Sequence, residues 1–249
     1  MNTSSSRFSI SPIGTVSSPY KEKFAIPRQP GLVTAAKGYI ELVSDIDSKS
    51  MVEGLEGYSH IWVLFMFHQN LAHGWKAKVK PPRLGGNKKV GVLATRSTFR
   101  PNGIGMSVLP VEKVESITLK NNQTQTRIYV SGLDLLDGTP VIDIKPYIPY
   151  SDSLESAQAG FAEQAPEAKL SVNFSTEAQA MLQAQQQSES QDLAVLIEQV
   201  LAQDPRPAYR QNKPDDNTYG MRLYNYNITW QCSSLTQVQV LNINPVTSV

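Results

Sequence analysis

The sequence predicts a mainly β protein: an N-terminal β-barrel followed by a smaller C-terminal α+β domain. Three observations carry this expectation. Short β-branched and aromatic runs recur between Gly, Pro and Asn breaks, the composition changes after Tyr150, and helical apolar spacing is confined to the last third of the chain. The runs are FSISPIGTVS, YIELVS, HIWVLFMFH, KVGVLATRS, IGMSVLPVEKVES, QTRIYVSGLDL and PVIDIKPYI. So many strands at short intervals predict a closed or nearly closed barrel, because closure removes exposed sheet edges. Ile61 to Phe67 is continuously apolar and is expected to be buried on both faces. Asp137-Gly138 reads as a tight turn, since glycine takes positive φ at little cost.

Beyond Tyr150, SDSLESAQAGFAEQAPEAK is polar, rich in Ala and poor in β-formers, as a linker would be. It divides the chain into residues 1–151, the barrel, and 152–249, an α+β unit expected to contact tRNA or a second subunit. Ser175 and Thr176 are candidate N-caps for FSTEAQAMLQAQQQ. Leu193, Leu196, Ile197, Val200 and Leu201 fall on one face of an amphipathic helix that stops before Asp204-Pro205. Two closing strands, YGMRLYNYNITWQ and LTQVQVLNI, complete the unit.

Composition narrows the chemistry. A net charge of +1 means that any anionic partner must be read by local charge. No apolar run approaches the length needed to cross a bilayer, so no membrane contact and a cytoplasmic setting are expected. Cys232 has no partner for an internal disulfide and is expected to be packed. His60, His68 and His73 lack zinc-ligand spacing, and no CxxC or HExxH occurs, so no metal is expected. RPNGIG carries GxG, but Val108 stands where a third glycine would complete a dinucleotide fingerprint; P-loop and GxSxG patterns are also missing.

The charge distribution is more informative. No carboxylate occurs between Glu56 and Glu112, whereas Lys76, Lys78, Lys80, Arg83, Lys88, Lys89, Arg96 and Arg100 all lie there. Lys and Arg on a polyphosphate release counterions, so the window suits a nucleic acid; a solvated loop is the alternative. In KPPRLGGN, two prolines stiffen the backbone that presents Arg83, and in SPYKEKFAIPRQPG, Pro27 and Pro30 hold Arg28 and Gln29 extended. Arg96 either grips an anion with its planar fork or salt-bridges a later aspartate. In LDLLDGTPVIDIKPY, Asp143 and Lys145 share one strand face, and Asp134 is a second carboxylate able to orient a cation or accept a proton. DPRPAYR places Arg206, Tyr209 and Arg210 on a stiff arm suited to stacking and phosphate contact, or to a subunit interface.

Together SPYKEKFAIPRQPG, FHQ, PPRLGG, GVLATRSTFRPNGIG, LDLLDGTPVIDIKPY and DPRPAYR resemble, in this order and over most of the chain, the bacterial TrmO (TsaA/YaeB-like) tRNA methyltransferases. One departure is Leu93, where the family usually has Phe, an apolar exchange. The resemblance implies a non-Rossmann β-barrel enzyme that acts as a homodimer. It would use S-adenosylmethionine to methylate N6 of N6-threonylcarbamoyladenosine beside the anticodon of a threonine tRNA. It assigns the cofactor to Pro27, Arg28, Gln29, His68, Gln69, Arg96 and the stretch Leu133, Asp134, Leu135 and Leu136. Because N6 is a poor nucleophile until its proton leaves, Asp134 or Asp143 is expected as base or orienter, with Lys145 and Tyr147 holding the carbamoyl or threonyl group. Arg83, Lys88, Lys89, Arg100, Arg206 and Arg210 are expected on the tRNA. A non-catalytic tRNA-binding module and an S-adenosylmethionine sensor are the rival readings.

Overall fold

The computed structural model describes residues 8–44, 46–85, 87–119, 124–167, 170–184, 187–207, 210–211 and 215–246. Its N-terminal part runs β1 (Gly14–Ser17), β2 (Lys37–Leu42), a single helical turn α1 (Ser48–Met51), β3 (His60–Met66), a ribbon of β4 (Lys78–Val79) and β5 (Val90–Gly91), β6 (Ile104–Thr118), β7 (Thr124–Ser131), β8 (Pro140–Pro146) and a turn α2 (Pro149–Asp152). Six strands close a barrel in the order β1-β2-β7-β6-β3-β8, all neighbours antiparallel. Long β6 makes closure possible by pairing with β3 along its first half and, after an irregularity at Val111–Lys113, with β7 along its second. The interior is filled by side chains including Ile40, Ile61, Val63, Leu109, Ile128 and Val141, branched residues that fit a pleated wall.

Two strand expectations change. In β3, buried and half-buried residues alternate, so Ile61, Val63 and Phe65 point into the barrel while Trp62, Leu64 and Met66 point out. The outward face is apolar because Leu64 and Met66 floor a cavity. KVGVLATRS forms only the two-residue β5 and then a 3-10 turn at Val92–Ala94, since no barrel strand is free to pair with it.

The chain continues through β9 (Ser171–Phe174), α3 (Thr176–Gln183), α4 (Gln187–Ala202), β10 (Asp215–Leu223), β11 (Tyr226–Cys232) and β12 (Gln237–Pro245). The strands form a sheet ordered β10-β11-β12-β9. Ser175 caps α3 through its Oγ, which accepts from Ala178 N. In α4 the five predicted apolar residues, Leu193, Leu196, Ile197, Val200 and Leu201, are all buried. Each such burial stabilises by about 1.5–3 kcal/mol, which outweighs the marginal stability of an isolated helix of this length. YGMRLYNYNITWQ is a hairpin rather than one strand: Tyr224, at φ 49°, turns the chain between β10 and β11. Strand β9, unanticipated, pairs parallel with β12. Cys232 is buried in β11. No helix among the described residues is long and apolar enough to cross a membrane.

Barrel and C-terminal sheet share one continuous core. Leu223 bridges Tyr20, Tyr224 N donates to Pro19 O, and Ala35 N donates to Gln199 Oε1 on α4. The proline-rich stretch after β1 is therefore held from both sides. Gly31 N donates to Gly132 O at 2.8 Å, and both residues have positive φ, a conformation that glycine adopts without strain.

Arg206 departs from the expectation of an RNA contact. Its side chain is fully buried, with Nε and a terminal amino group on the carboxylate of Asp204 at 2.8 and 2.9 Å. Arg210 is exposed, with its N–H on Pro207 O, and Tyr209 lies outside the described residues. Removing one partner of a buried ion pair leaves an uncompensated charge. Arg206→Ala is therefore expected to lower unfolding free energy by about 3–5 kcal/mol, measured by urea denaturation. A solvent-facing arginine would cost far less.

Candidate active site

A cavity of about 870 Å³ opens on the outside of the barrel, beside β3 and the start of β6. Its floor is Leu64, Met66, Ile104 and Met106, the outward residues of two paired strands. Gly105 lies between them, where a Cβ would meet the Phe65 ring at 2.5 Å. One wall is the proline-rich stretch carrying Pro27, Arg28 and Gln29; another is the 3-10 turn His68–His73, carrying His68 and Gln69. The segment Thr95–Arg100 contributes Arg96 and Arg100, and the loop after β7 contributes Asp134, Leu135 and Leu136.

Hydrogen bonds join these segments across the rim. Arg96 donates to Gln29 Oε1, Lys23 Nζ to Asn70 Oδ1 at 3.3 Å, and Asn70 Nδ2 to Thr98 Oγ1 at 3.0 Å. Arg100 is turned inward onto Thr95 O at 3.0 Å. The basic ribbon roots at the same place: Lys76 N donates to Phe99 O, and the Lys76 ammonium sits 4.6 Å from the centre of the Phe99 ring.

Asp134 is the one carboxylate lining this cavity among the described residues. Ser107 Oγ, reaching from β6, donates to its Oδ1 at 2.7 Å. Burial pushes the carboxyl up to about 6, with the Ser107 hydrogen bond and the Arg96 charge partly opposing the shift. Burial and the charge of Asp134 drive the Tyr20 phenol upward, and its buried oxygen has no hydrogen-bond partner among the described residues.

The tRNA-methyltransferase O N-terminal domain family matches residues 15–153, and the TrmO C-terminal domain family matches residues 167–246. The chain belongs to the TrmO family. An Escherichia coli K12 relative called tRNA (adenine(37)-N6)-methyltransferase is 47% identical, covering 91% of this chain and 94% of its own. A putative S-adenosylmethionine-dependent methyltransferase, RcsF, of Pseudomonas aeruginosa PAO1 is 47% identical over 94% and 97% of the two chains. The crystal structure of TrmO from Pseudomonas aeruginosa superposes with a TM-score of 0.76 at 40% identity, covering 96% and 99%.

Of the residues that the TrmO resemblance assigns to a cofactor, Pro27, Arg28, Gln29, His68, Gln69, Arg96, Asp134, Leu135 and Leu136 line this one cavity. Leu133 does not: it is fully buried and packs against Gly38 in the barrel. Asp143, Lys145 and Tyr147 are also elsewhere. Register places Asp143 opposite Leu64 and Lys145 opposite Trp62 on β8, where the two charges pair with each other at 3.0 Å. Tyr147 packs on the rings of His60 and Trp62. The β3–β8 register shifts between Leu64 and Phe65, and none of Asp143, Lys145 and Tyr147 lines the cavity. Asp137 is a turn residue, as expected: it accepts from Ser18 N and pairs with Lys21.

Sequence reasoning missed Ser107, Lys23, Asn70 and Thr98, and also the methionines of the floor. Each stands alone, so no spacing marks it.

An acid whose folded pKa is raised contributes stability that is fully present below its unfolded pKa, near 3.8, and is lost as pH rises through about 6. Asp134→Asn is therefore expected to be more stable than the parent by about 1–3 kcal/mol at pH 8, the gap narrowing toward pH 4. Thermal unfolding at the two pH values measures it. A variant less stable at pH 8 would mean that Ser107 and Arg96 outweigh the burial.

Proposed function

We propose that this chain transfers the methyl group of S-adenosylmethionine to N6 of adenine 37 in a tRNA, with N6-threonylcarbamoyladenosine as the acceptor. We also infer that it works in the cytoplasm as a homodimer, as its family resemblance implies. The observation that carries the reading is the composition of the cavity. An apolar floor, one carboxylate and an arginine-bearing rim converge in a space of ligand size, with the basic ribbon rooted at its mouth.

The residues present fit S-adenosylmethionine. The ligand combines a sulfonium cation, an amino-acid carboxylate and an adenine, and when bound supplies an electrophilic methyl group. Asp134 offers the one negative charge among the described lining residues; Arg96, fixed by Gln29, offers a fork for a carboxylate; Leu64, Met66, Met106 and Leu136 offer apolar surface. Positioning supplies most of the acceleration in such a transfer.

The acceptor nitrogen must lose its proton as its bond to carbon forms. Asp134, ionised above a pH of about 6, accepts that proton and passes it to water. Ser107 holds the carboxylate by its Oδ1 at the edge of the cavity. His68 and His73 also line the space, so the Asp134→Asn variant decides which group is the base.

The test is a methylation reaction of the purified protein, S-adenosylmethionine and tRNA with or without the threonylcarbamoyl group, read by nucleoside mass spectrometry. A methyl-sized gain confined to the threonylcarbamoylated nucleoside is expected. Asp134→Asn should lose about 100-fold or more in turnover, whereas Asp143→Asn should retain it. Bound tRNA without turnover would leave a binding module, and bound cofactor without tRNA-dependent turnover would leave a sensor.

A further inference from the structure

A second cavity, of about 860 Å³, lies where the barrel meets the C-terminal unit. Four stretches enclose it: residues 23–33, the turn Pro82–Gly85, the connecting segment 161–167, and the end of α4 with Asp204–Pro207. Lys23, Ile26, Pro27 and Arg28 line both cavities, so the two share a wall.

Besides Arg206, which is paired with Asp204, two guanidinium groups line this space, Arg28 from residues 23–33 and Arg83 from the turn Pro82–Gly85. Arg83 uses one terminal amino group on Gln164 O at 2.8 Å, leaving the rest of its fork available. The Arg28 side chain has no hydrogen-bond or ion-pair partner among the described residues, and no carboxylate bridges the pair. Of the acids lining the cavity, Asp204 is occupied by Arg206, Glu163 accepts from Ala159 N, and Glu167 pairs with neither arginine. Partial withdrawal from water and the charge of Arg83 lower the Arg28 pKa from its usual value, with Asp204 opposing. Two like charges carried on proline-rich backbone and left without a bridging carboxylate form an anion site.

We propose that this second cavity is a phosphodiester site, in which Arg28 and Arg83 clamp a backbone phosphate of the RNA whose target base enters the first cavity. The inference rests on the reading of the chain as a tRNA-modifying enzyme. It gives the C-terminal unit a place in recognition: the buried Asp204–Arg206 pair fixes one wall of the phosphate site, and Arg206 itself never reaches the RNA.

Arg83→Ala removes half of the clamp, and Gln203→Trp fills the cavity from its C-terminal side; neither residue lines the first cavity. With folding checked by thermal melt, both variants should bind S-adenosylmethionine as the parent does, while tRNA binding weakens about tenfold. For Arg83→Ala the slope of log affinity against log salt should fall by about 0.7–0.9, the loss of one phosphate contact. Arg83→Lys should restore the slope but only part of the affinity. Unchanged tRNA binding in both variants overturns the proposal, as does a parallel loss of cofactor affinity. Saturable binding of inorganic phosphate combined with tRNA affinity indifferent to Arg83→Ala also overturns it, by assigning the site to free phosphate. A parent protein that binds tRNA with the Arg83-dependent slope but never methylates it would refute the catalytic reading and leave the phosphate site standing.

Discussion

Everything in the first cavity depends on the lacing of the segment after β1 to the loop after β7. Asp137 does much of it: its carboxylate accepts from Ser18 N and pairs with Lys21, and its own N–H donates to Tyr20 O. Gly138 N donates to Val16 O, Gly31 N to Gly132 O, and Gly132 N to Ala36 O. Each bond contributes only about 1 kcal/mol net, but they share one task. They set the wall that carries Arg28 and Gln29 against the wall that carries Asp134, Leu135 and Leu136. Prolines at 19, 27 and 30 reduce the freedom that this lacing must remove. The C-terminal sheet completes the clamp by bonding Pro19 and Tyr20 from the far side.

Asp134 shows what this scaffold is asked to carry. A carboxylate largely withdrawn from water, with Ser107 as its one side-chain hydrogen-bond partner among the described residues, opposes folding at neutral pH. The closed barrel, with a core continuous with that of the C-terminal unit, supplies the stability that tolerates it. The Ser107 hydrogen bond and the Arg96 charge limit the rise to about 6, so the group is charged at physiological pH yet still able to take a proton.

The parts of the fold legible in the sequence were those set by a period. Helix α4 is marked by five apolar residues at helical spacing, and the barrel strands by β-branched runs between turns. Pairing partners leave no such mark. KVGVLATRS has strand composition but no open edge to join, and the turn at Tyr224-Asn225 lacks the glycine that would have split YGMRLYNYNITWQ in two. The continuous apolar run in β3 admits two explanations, burial on both faces or a ligand floor, and composition does not distinguish them. In the same way, a carboxylate alternating along a strand points to a face without saying which. Asp134, in a loop, reaches the cavity; Asp143, on strand β8, pairs with Lys145 and does not line it.

Arg83 and Arg206 make the sharpest comparison, because both sit among prolines and both read as presented to a partner. Their fates differ because of the nearest acid. Asp204, held at φ 51° two residues before Arg206, turns its carboxylate onto that guanidinium, and the pair is buried as a unit. Arg83 lies in a stretch without a carboxylate from residue 57 to residue 111, and Glu163 and Glu167, which line the same cavity, make no ion pair with it among the described residues. A backbone carbonyl is its partner instead, and a carbonyl cannot neutralise a cation. The absence of acids, more than the presence of bases, separates an arginine held for the fold from one held for an anion. Arg96 in the same window stands between the two cases: its hydrogen-bond partner is the neutral amide of Gln29, which orients the guanidinium, while its charge acts on Asp134 without pairing with it.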